Sequence, residues 1–191
     1  MPSWLRTLPI KLSLISVWLF VCATVRFLSI PDEGRYADIS RHMFESGDWL
    51  VPRLDGLPFI HKPPMLHWLS SIAMHIFGVH VWVVRLVPVL AAGLLLIGTY
   101  LFVRKYLSQK IAELSILMMA TNLLFFGSSQ YVNHDLLLAT GITLSVFCLV
   151  DFSLCNRKAM LFLAYFFAAS AFLTKGLIGI LIPGMILLPW L

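Results

Sequence analysis

The sequence PDEGRYADISRHMFESGDWLVPRLDGLPFIHKPP, residues 31–64, is a polar segment in a chain of 191 residues that is 60% hydrophobic. We refer to it as the polar island. It carries six of the nine acidic residues of the chain: Asp32, Glu33, Asp38, Glu45, Asp48 and Asp55. Ionisable groups are costly to hold beside hydrocarbon, so a dense group of them next to an apolar segment marks a candidate functional site. The position of the island also sets the topology, because apolar runs lie on both sides of it.

The composition indicates an integral membrane protein. Only 12% of the residues are charged and the mean hydropathy is +0.90, whereas about a quarter of the residues of a soluble domain are charged. The net charge of +5 comes from basic residues in short clusters between apolar runs. That distribution is typical of the loops between membrane spans and argues against a nucleic-acid partner. The three cysteines lack metal-ligand spacing, so they predict neither a metal site nor a structural disulfide.

The apolar runs predict an all-α integral membrane protein, with about six transmembrane helices in a single domain covering residues 1–191. A span needs about 20 apolar residues, and the candidates are 12–30, 86–103, 111–126, 136–152, 159–173 and 177–191. Residues 31–84 form a long outer loop between the first two spans. Its part 66–84 is apolar but carries three histidines and two tryptophans, which predicts an interfacial helix along the membrane surface.

Clusters of basic residues set the orientation of the spans. Lysine and arginine concentrate in cytoplasmic loops, and three clusters fit that side: Arg6 with Lys11, Arg104 and Lys105 with Lys110, and Arg157 with Lys158. The opposite, outer face then collects five further charged residues: Asp32, Glu33, Lys62, Asp135 and Lys175. We take these five residues as the candidate site.

Residues 33–46 of the island have the pattern of an amphipathic helix on the outer face. Apolar residues recur there at steps of three and four, namely Tyr36, Ile39 and Met43. Asp32 is placed to cap the helix, because an aspartate side chain accepts hydrogen bonds from unpaired N–H groups of the first turn. Gly47 suits the C-terminal end. The island is therefore predicted to hold an interfacial helix that begins at its acidic pair.

Four motifs follow one another along the chain: DEGRYADIS, GDWLVPRLDGLPF, HKPPMLHWL and RLVPVLAAGLLLIGTYLFVRKYL. In this order they resemble the N-terminal part of the polyprenyl-phosphate-sugar-dependent glycosyltransferases. These are membrane enzymes of the GT-C fold and include the protein O-mannosyltransferases and the bacterial aminoarabinose–lipid A transferases, of which the bacterial group is more similar. The resemblance implies transfer of a sugar from a polyprenyl-phosphate carrier to a lipid A, glycan or protein acceptor. The active face would be the periplasmic side of the inner membrane.

The resemblance also implies roles for individual residues. The acidic residue in the family's first outer loop matches Asp32, followed by Glu33, and a second outer acidic residue matches Asp135. The family's lysine before a proline pair matches Lys62, and those prolines force the lysine out of helical geometry. Where the aminoarabinose transferases have glutamate, this chain has His61, which leaves the identity of the sugar open. The family's enzymes are more than twice this length, so we expect their C-terminal half to be absent from this chain.

The chemistry of such a transfer suits these residues. The leaving group is a polyprenyl phosphate, and a cation beside its bridging oxygen lowers the barrier; Lys62 is the first candidate and Lys175 the second. With a hydroxyl acceptor, Asp32 acts as a general base. With a phosphate acceptor no base is needed, and Asp32 orients the reactants or stabilises charge. Paired carboxylates also leave open a divalent cation held through oxygen ligands.

Structural roles compete with each of these assignments. Asp32 can simply cap a helix, and Glu33 can stabilise the dipole of its first turn. Lys62 and Lys175 can anchor at the interface, while Asp135 can mark the end of a span. The alternative function is a membrane carrier that binds its cargo with Asp32, Asp135 and Lys175. A truncated chain without catalytic activity would carry every one of these motifs.

Overall fold

The structure is a computed structural model that describes residues 3–25 and 27–188, including the side chains from Lys11 onward. Over these residues it contains nine α-helices and one short hairpin, which confirms the predicted all-α class. The helices are α1 (Ser3–Thr24), α2 (Asp32–Ser46), α3 (Met65–Phe77), α4 (Val81–Tyr106), α5 (Gln109–Thr121), α6 (Leu123–Ser129), α7 (Asp135–Cys155), α8 (Lys158–Lys175) and α9 (Ile178–Leu187). The strands are β1 (Arg53–Leu54) and β2 (Leu57–Pro58), which pair antiparallel.

Three of the described helices, α4, α7 and α8, are long and apolar enough to cross a membrane. Helices α5 and α6 give a fourth span if they are taken together, although they bend by 67° where they meet. At the bend, the side chain of Asn122 accepts hydrogen bonds from the N–H groups of Leu124 and Phe125 and so starts a new helix. The chain is a multi-pass membrane protein.

The prediction of about six spans is not confirmed. Within the described residues, the apolar part of α1 (Lys11–Thr24) and the whole of α9 are shorter than a span. The predicted first span, 12–30, extends beyond the end of α1 at Thr24. The predicted last span, 177–191, reaches residues 189–191, which lie outside the described part. The structure therefore supports three spans, or four with the bent pair.

Helix α4 lies at the centre of the bundle and packs against α1, α3, α5 and α7. The main buried core around it contains Leu19, Leu95, Leu96, Tyr100, Ile116 and Leu136. Helices α7, α8 and α9 approach one another at small residues, as is common between membrane helices. A Cβ on Gly141 would lie 3.1 Å from the carbonyl oxygen of Phe167, and one on Gly179 would lie 2.4 Å from the carbonyl carbon of Ala171. Substitution of either glycine therefore forces the helices apart.

The polar island folds around the predicted helix, which is observed as α2. Gly47 ends this helix with a φ of 71°, a left-handed conformation that favours glycine. The predicted cap is wrong: Asp32 is the first residue of the helix, Pro31 occupies the capping position, and no side chain caps the first turn. Proline is suited to a helix start because it has no N–H group to satisfy.

The predicted single interfacial helix over residues 66–84 is also wrong. Gly78, with a φ of 81°, ends α3, and a new helix, α4, begins at Val81. Helices α2 and α3 pack on the start of α4 around a second core of Ala37, Leu66, Met74, Val83 and Val132. The polar island is thus fixed on one end of the membrane bundle, where the candidate residues lie.

Candidate functional site

Glu33 and Arg85 form a buried ion pair where α2 meets α4. Both side chains are 0% exposed. Arg85 donates from Nε to Oε1 of Glu33 at 3.1 Å and from Nη2 to Oε2 at 3.0 Å. The backbone N–H groups of Ser29 and Val132 donate to the same carboxylate at 2.8 Å and 3.1 Å. Such two-point pairing between guanidinium and carboxylate combines strength with a defined geometry.

The same arginine reaches the end of α1. Arg85 donates from Nη1 to the carbonyl oxygen of Ala23 and from Nη2 to that of Phe27, both at 2.8 Å. One ion pair therefore joins four parts of the fold: the end of α1, the start of α2, the first turns of α4 and the loop before α7. This connection holds the outer loop in register with the bundle.

The carboxylate of Glu33 stays ionised in this environment. Burial by itself raises the pKa of Glu33, but the hydrogen bonds from Arg85 and from two backbone N–H groups outweigh burial and hold the pKa below its usual value. The sequence placed Glu33 among the candidate catalytic residues, on an accessible outer face. The structure instead encloses the side chain, with both oxygens engaged by other parts of the protein.

An aromatic cluster lies beside this ion pair and brings together three elements. Tyr36 of α2 packs edge-on against His134, with ring centroids 4.9 Å apart, and lies 6.0 Å from His67 of α3. The two histidine rings are 5.7 Å apart. His134 belongs to the loop before α7, so the cluster joins α2, α3 and the start of α7.

Four charged side chains act on the phenol of Tyr36. Burial raises the pKa of Tyr36 above its usual value. The carboxylates of Asp32 and Asp135 raise this pKa further, whereas the cations of Arg35 and Lys175 lower it. Three residues predicted from separate parts of the sequence, Asp32, Asp135 and Lys175, therefore act electrostatically on one tyrosine.

The two histidines are held neutral. Burial lowers the pKa of His67 to about 4. It also lowers the pKa of His134 to about 3, where His67, Lys62 and Lys175 act in the same direction and the carboxylate of Asp135 opposes them. The hydroxyl of Ser40 lies 3.1 Å from Nδ1 of His67. The Nε2 atoms of both rings are buried without a hydrogen-bond partner among the described residues.

Asp135 and Lys175 form an exposed ion pair at the same end of the bundle. Asp135 is the first residue of α7 and Lys175 the last residue of α8, so two neighbouring membrane helices place them. The ammonium of Lys175 contacts Oδ1 of Asp135, and the side chains are 34% and 60% exposed. Asn133 accepts a hydrogen bond from the backbone N–H of Asp135 at 3.0 Å, which fixes the start of α7.

Lys62 lies in a pocket of about 550 Å³ between α2 and the β1–β2 hairpin. Asp55 and Gly56 form the tight turn of the hairpin with φ angles of 51° and 78°. Arg35 lines the same pocket, so two cations face one cavity. Lys62 makes no ion pair or hydrogen bond with another described residue, which leaves its charge available to a ligand.

Asp32 is held only loosely. Its carboxylate is 50% exposed and lies 3.7 Å from Nη2 of Arg35. The aromatic cluster links it to the other predicted residues: Tyr36 shares a pocket with Lys62 and packs on His134, which precedes the Asp135–Lys175 pair. Four of the five predicted site residues therefore lie around this cluster. Glu33 lies apart from them inside the protein.

The described residues contain no group of three or more histidine, cysteine, aspartate or glutamate side chains that could hold a metal ion. Asp32 and Glu33 do not form a carboxylate pair, because Glu33 turns inward to Arg85 while Asp32 stays at the surface. These two carboxylates therefore do not form a joint ligand pair for a divalent cation.

Three residues at this end of the molecule were not predicted from the sequence to belong to the site: Tyr36, Arg85 and His134. Arg85 had a usable signal, since it stands inside the apolar run VWVVRLVPV, and an arginine within a membrane segment needs a partner. Tyr36 was assigned to the apolar face of its helix, and His134 was treated only as a neighbour of Asp135. Neither carries a pattern that reveals its contacts.

Comparison with known proteins identifies the family of this chain. Residues 61–191 match the model of the dolichyl-phosphate-mannose-protein mannosyltransferase family, which covers more than half of the chain. The chain belongs to this family. The resemblance drawn from the four sequence motifs is thereby confirmed.

Relatives of this mannosyltransferase-family chain include a bacterial aminoarabinose transferase. The chain is 34% identical over 171 residues to undecaprenyl phosphate-alpha-4-amino-4-deoxy-L-arabinose arabinosyl transferase 1 of Sodalis glossinidius, and the match covers 86% of this chain and 30% of that protein. Among solved structures, apo ArnT from Cupriavidus metallidurans is similar, with a TM-score of 0.90, 27% identity, and coverage of 98% of this chain and 36% of that one.

The same ArnT bound to undecaprenyl phosphate gives a TM-score of 0.89 at 27% identity, covering 96% of this chain and 35% of that one. The chain therefore spans about a third of the length of the relatives that it matches.

Proposed function

We propose that this chain forms the donor-side part of an enzyme that transfers a sugar from a polyprenyl-phosphate carrier to a lipid, glycan or protein acceptor. The observation that carries the proposal is that four charged side chains are linked through Tyr36 at one end of a membrane bundle: Asp32, Lys62, Asp135 and Lys175. Tyr36 and Lys62 line one pocket with Arg35, which pairs with Asp32. The ring of Tyr36 packs on His134, and the next residue, Asp135, pairs with Lys175. The likeness to ArnT bound to undecaprenyl phosphate supports a polyprenyl-phosphate donor.

Lys62 and Arg35 are suited to the donor phosphate. As the bond between the anomeric carbon and the phosphate oxygen breaks, negative charge grows on the leaving polyprenyl phosphate, and cations already in place stabilise it. The ammonium of Lys62 has no competing partner among the described residues. The guanidinium of Arg35 presents a planar fork to the same pocket, a shape that matches phosphate oxygens.

Asp32 is the carboxylate available for chemistry. When the acceptor is a hydroxyl, Asp32 takes its proton while the acceptor oxygen bonds to the anomeric carbon and the polyprenyl phosphate leaves. When the acceptor is already anionic, the same carboxylate stabilises the positive charge that develops on the sugar. Its half-exposed position and single long contact with Arg35 leave it free for either role.

Asp135 and Lys175 complete the charge arrangement on the far side of Tyr36. Because Lys175 pairs with Asp135, a donor phosphate that attracts Lys175 would release the Asp135 carboxylate to the sugar or the acceptor. Glu33 has a positioning role: through Arg85 it fixes the start of α2, which carries Asp32 and Arg35.

The site is assigned to the periplasmic side of the inner membrane. The basic clusters of Arg104 and Lys105, and of Arg157 and Lys158, lie at the opposite ends of α4 and α8 from the site. Such clusters favour the cytoplasmic side, which leaves the outer side for Asp32 and Lys62.

The test is a transfer assay with the whole protein in detergent or nanodiscs, an undecaprenyl-phosphate-linked sugar and a lipid A acceptor. We expect Lys62→Ala to lower kcat by roughly 10²-fold or more, the range seen when one group that stabilises a developing anion is removed. Lys110→Ala is the matched control, since it removes an exposed cation at the other end of the bundle. Equal rates for Lys62→Ala and the wild type would rule out the assigned role of Lys62, and no transfer from any such donor by the wild type would refute the proposed function.

A further inference from the structure

A second polar cluster lies at the other end of the bundle, around the end of α4. Residues 85 and 105 are twenty positions apart on this helix, which places Lys105 roughly 30 Å from the Glu33–Arg85 pair. There the carboxylate of Asp151 on α7 accepts hydrogen bonds from the ammonium of Lys105 and the hydroxyl of Tyr106. The proposed sugar transfer uses none of these groups.

This cluster closes one end of a groove of about 370 Å³ between α4, α7 and α8. The walls of the groove are apolar along the three helices, with Ile97 and Leu101 on α4, Phe147 on α7, and Leu163 and Phe167 on α8. Ile97 and Leu101 are 43% and 55% exposed. The groove therefore opens from the bundle toward the hydrocarbon of the membrane, a position suited to an acyl chain.

The polar end of the groove carries net positive charge. Lys105 neutralises Asp151, which is itself only 7% exposed. Arg157 lines the same end and is exposed. Its side chain makes no hydrogen bond and no ion pair with another described residue, so its charge is available to an anion.

We propose that this groove binds an anionic glycerophospholipid, with one acyl chain between α4, α7 and α8 and the headgroup phosphate against Arg157 and Lys105. Charge complementarity favours an anionic headgroup, because its phosphate would give the Arg157 guanidinium the anionic partner that it lacks. Basic pockets between membrane helices on the cytoplasmic side are known to hold such headgroups. The apolar walls of the groove pack against the acyl chain of the lipid and make no polar contact with it.

The test uses the whole protein in nanodiscs that contain equal amounts of phosphatidylglycerol and phosphatidylcholine. In one experiment the phosphatidylglycerol carries a photoactivatable group in its acyl chain, and in a second experiment the phosphatidylcholine carries it. We expect phosphatidylglycerol to label peptides of α7 and α8 and phosphatidylcholine to label them less. Arg157→Gln should reduce the phosphatidylglycerol label roughly fivefold, the effect of one basic residue near an anionic lipid surface. Lys110→Gln, which removes an exposed cation outside the groove, should leave the label unchanged.

Three results would overturn the proposal. The first is equal labelling by the two lipids, and the second is equal labelling of Arg157→Gln and the wild type. The third is no labelling of the groove peptides by either lipid, which would mean that another segment of the protein occupies the groove. Since Arg157 is exposed, its replacement should leave the thermal midpoint unchanged, and that measurement separates a lost lipid site from a lost fold.

Discussion

The Glu33–Arg85 and Asp135–Lys175 pairs lie at the same end of the bundle and have the same chemistry, yet they differ in burial. Both side chains of the first pair are fully enclosed, and its carboxylate accepts four hydrogen bonds. The second pair is 60% and 34% exposed. A saturated, buried carboxylate cannot meet a substrate without unfolding its surroundings, whereas an exposed one can exchange its partner. Burial thus separates a pair that is fixed in the structure from one that is accessible to a ligand.

The largest effect we expect from this difference is on stability. Arg85→Ala leaves the Glu33 carboxylate buried without its cation, and breaking one partner of a buried pair costs about 3–5 kcal/mol. The measurement is the thermal midpoint of the purified whole protein, followed by size-exclusion fluorescence. If Arg85→Ala has the same thermal midpoint as the wild type, the Glu33–Arg85 pair does not hold the outer loop in place.

A smaller effect should appear on acidification. The pKa of His67 is lowered to about 4 and that of His134 to about 3, mainly because burial disfavours the charged ring. An unfolded histidine has a pKa near 6.5, so below that pH the unfolded state binds more protons than the folded one. The stability from these neutral rings is therefore complete above about pH 6.5 and is lost as the pH falls toward 4.

The readout is the slope of the thermal midpoint against pH between about 6.5 and 4.5, measured for the wild type and for His67→Gln. We expect the midpoint of the wild type to fall on acidification and that of His67→Gln to fall less steeply. Identical slopes would mean that His67 does not titrate on unfolding.

The smallest expected stability effect is that of Lys175→Ala. An exposed ion pair contributes only about 0–1 kcal/mol, so the thermal midpoint should shift little, while sugar transfer should slow because the donor phosphate loses a nearby cation. A large loss of stability with an unchanged transfer rate would show that the exposed pair has a structural role, like the buried pair, and no role in transfer.

The sequence predicted the elements whose signal is local. The steps of three and four in the island and the glycine after them defined α2 to within one residue, because both depend on neighbouring positions alone. The charged residues of the candidate site were found because a carboxylate or lysine next to an apolar run stands out. Basic clusters between the apolar runs then placed all five on one face. The structure leaves four of them at the surface there and encloses Glu33.

What the sequence could not show depends on contacts between distant segments. Residues 33 and 85 pair across fifty-two positions, and no periodicity marks that contact. Gly78 and Asn122 break apolar runs that read as continuous, because their effect lies in a positive φ angle and in a side-chain cap. For that reason the sequence predicted a single helix over 66–84 and an unbroken span over 111–126. The different environments of the neighbouring Asp32 and Glu33 were hidden in the same way.

The most direct test uses these two neighbours, since Asp32→Asn and Glu33→Gln make the same chemical change one position apart. Thermal midpoint and sugar transfer are measured on both proteins. We expect Asp32→Asn to keep the midpoint of the wild type and to lose transfer by roughly 10²-fold or more, the range for a general base. Glu33→Gln should lower the midpoint far more than Asp32→Asn does, because Arg85 remains buried without a counter-charge. Normal transfer by Asp32→Asn together with an unchanged midpoint for Glu33→Gln would contradict the division between the two carboxylates.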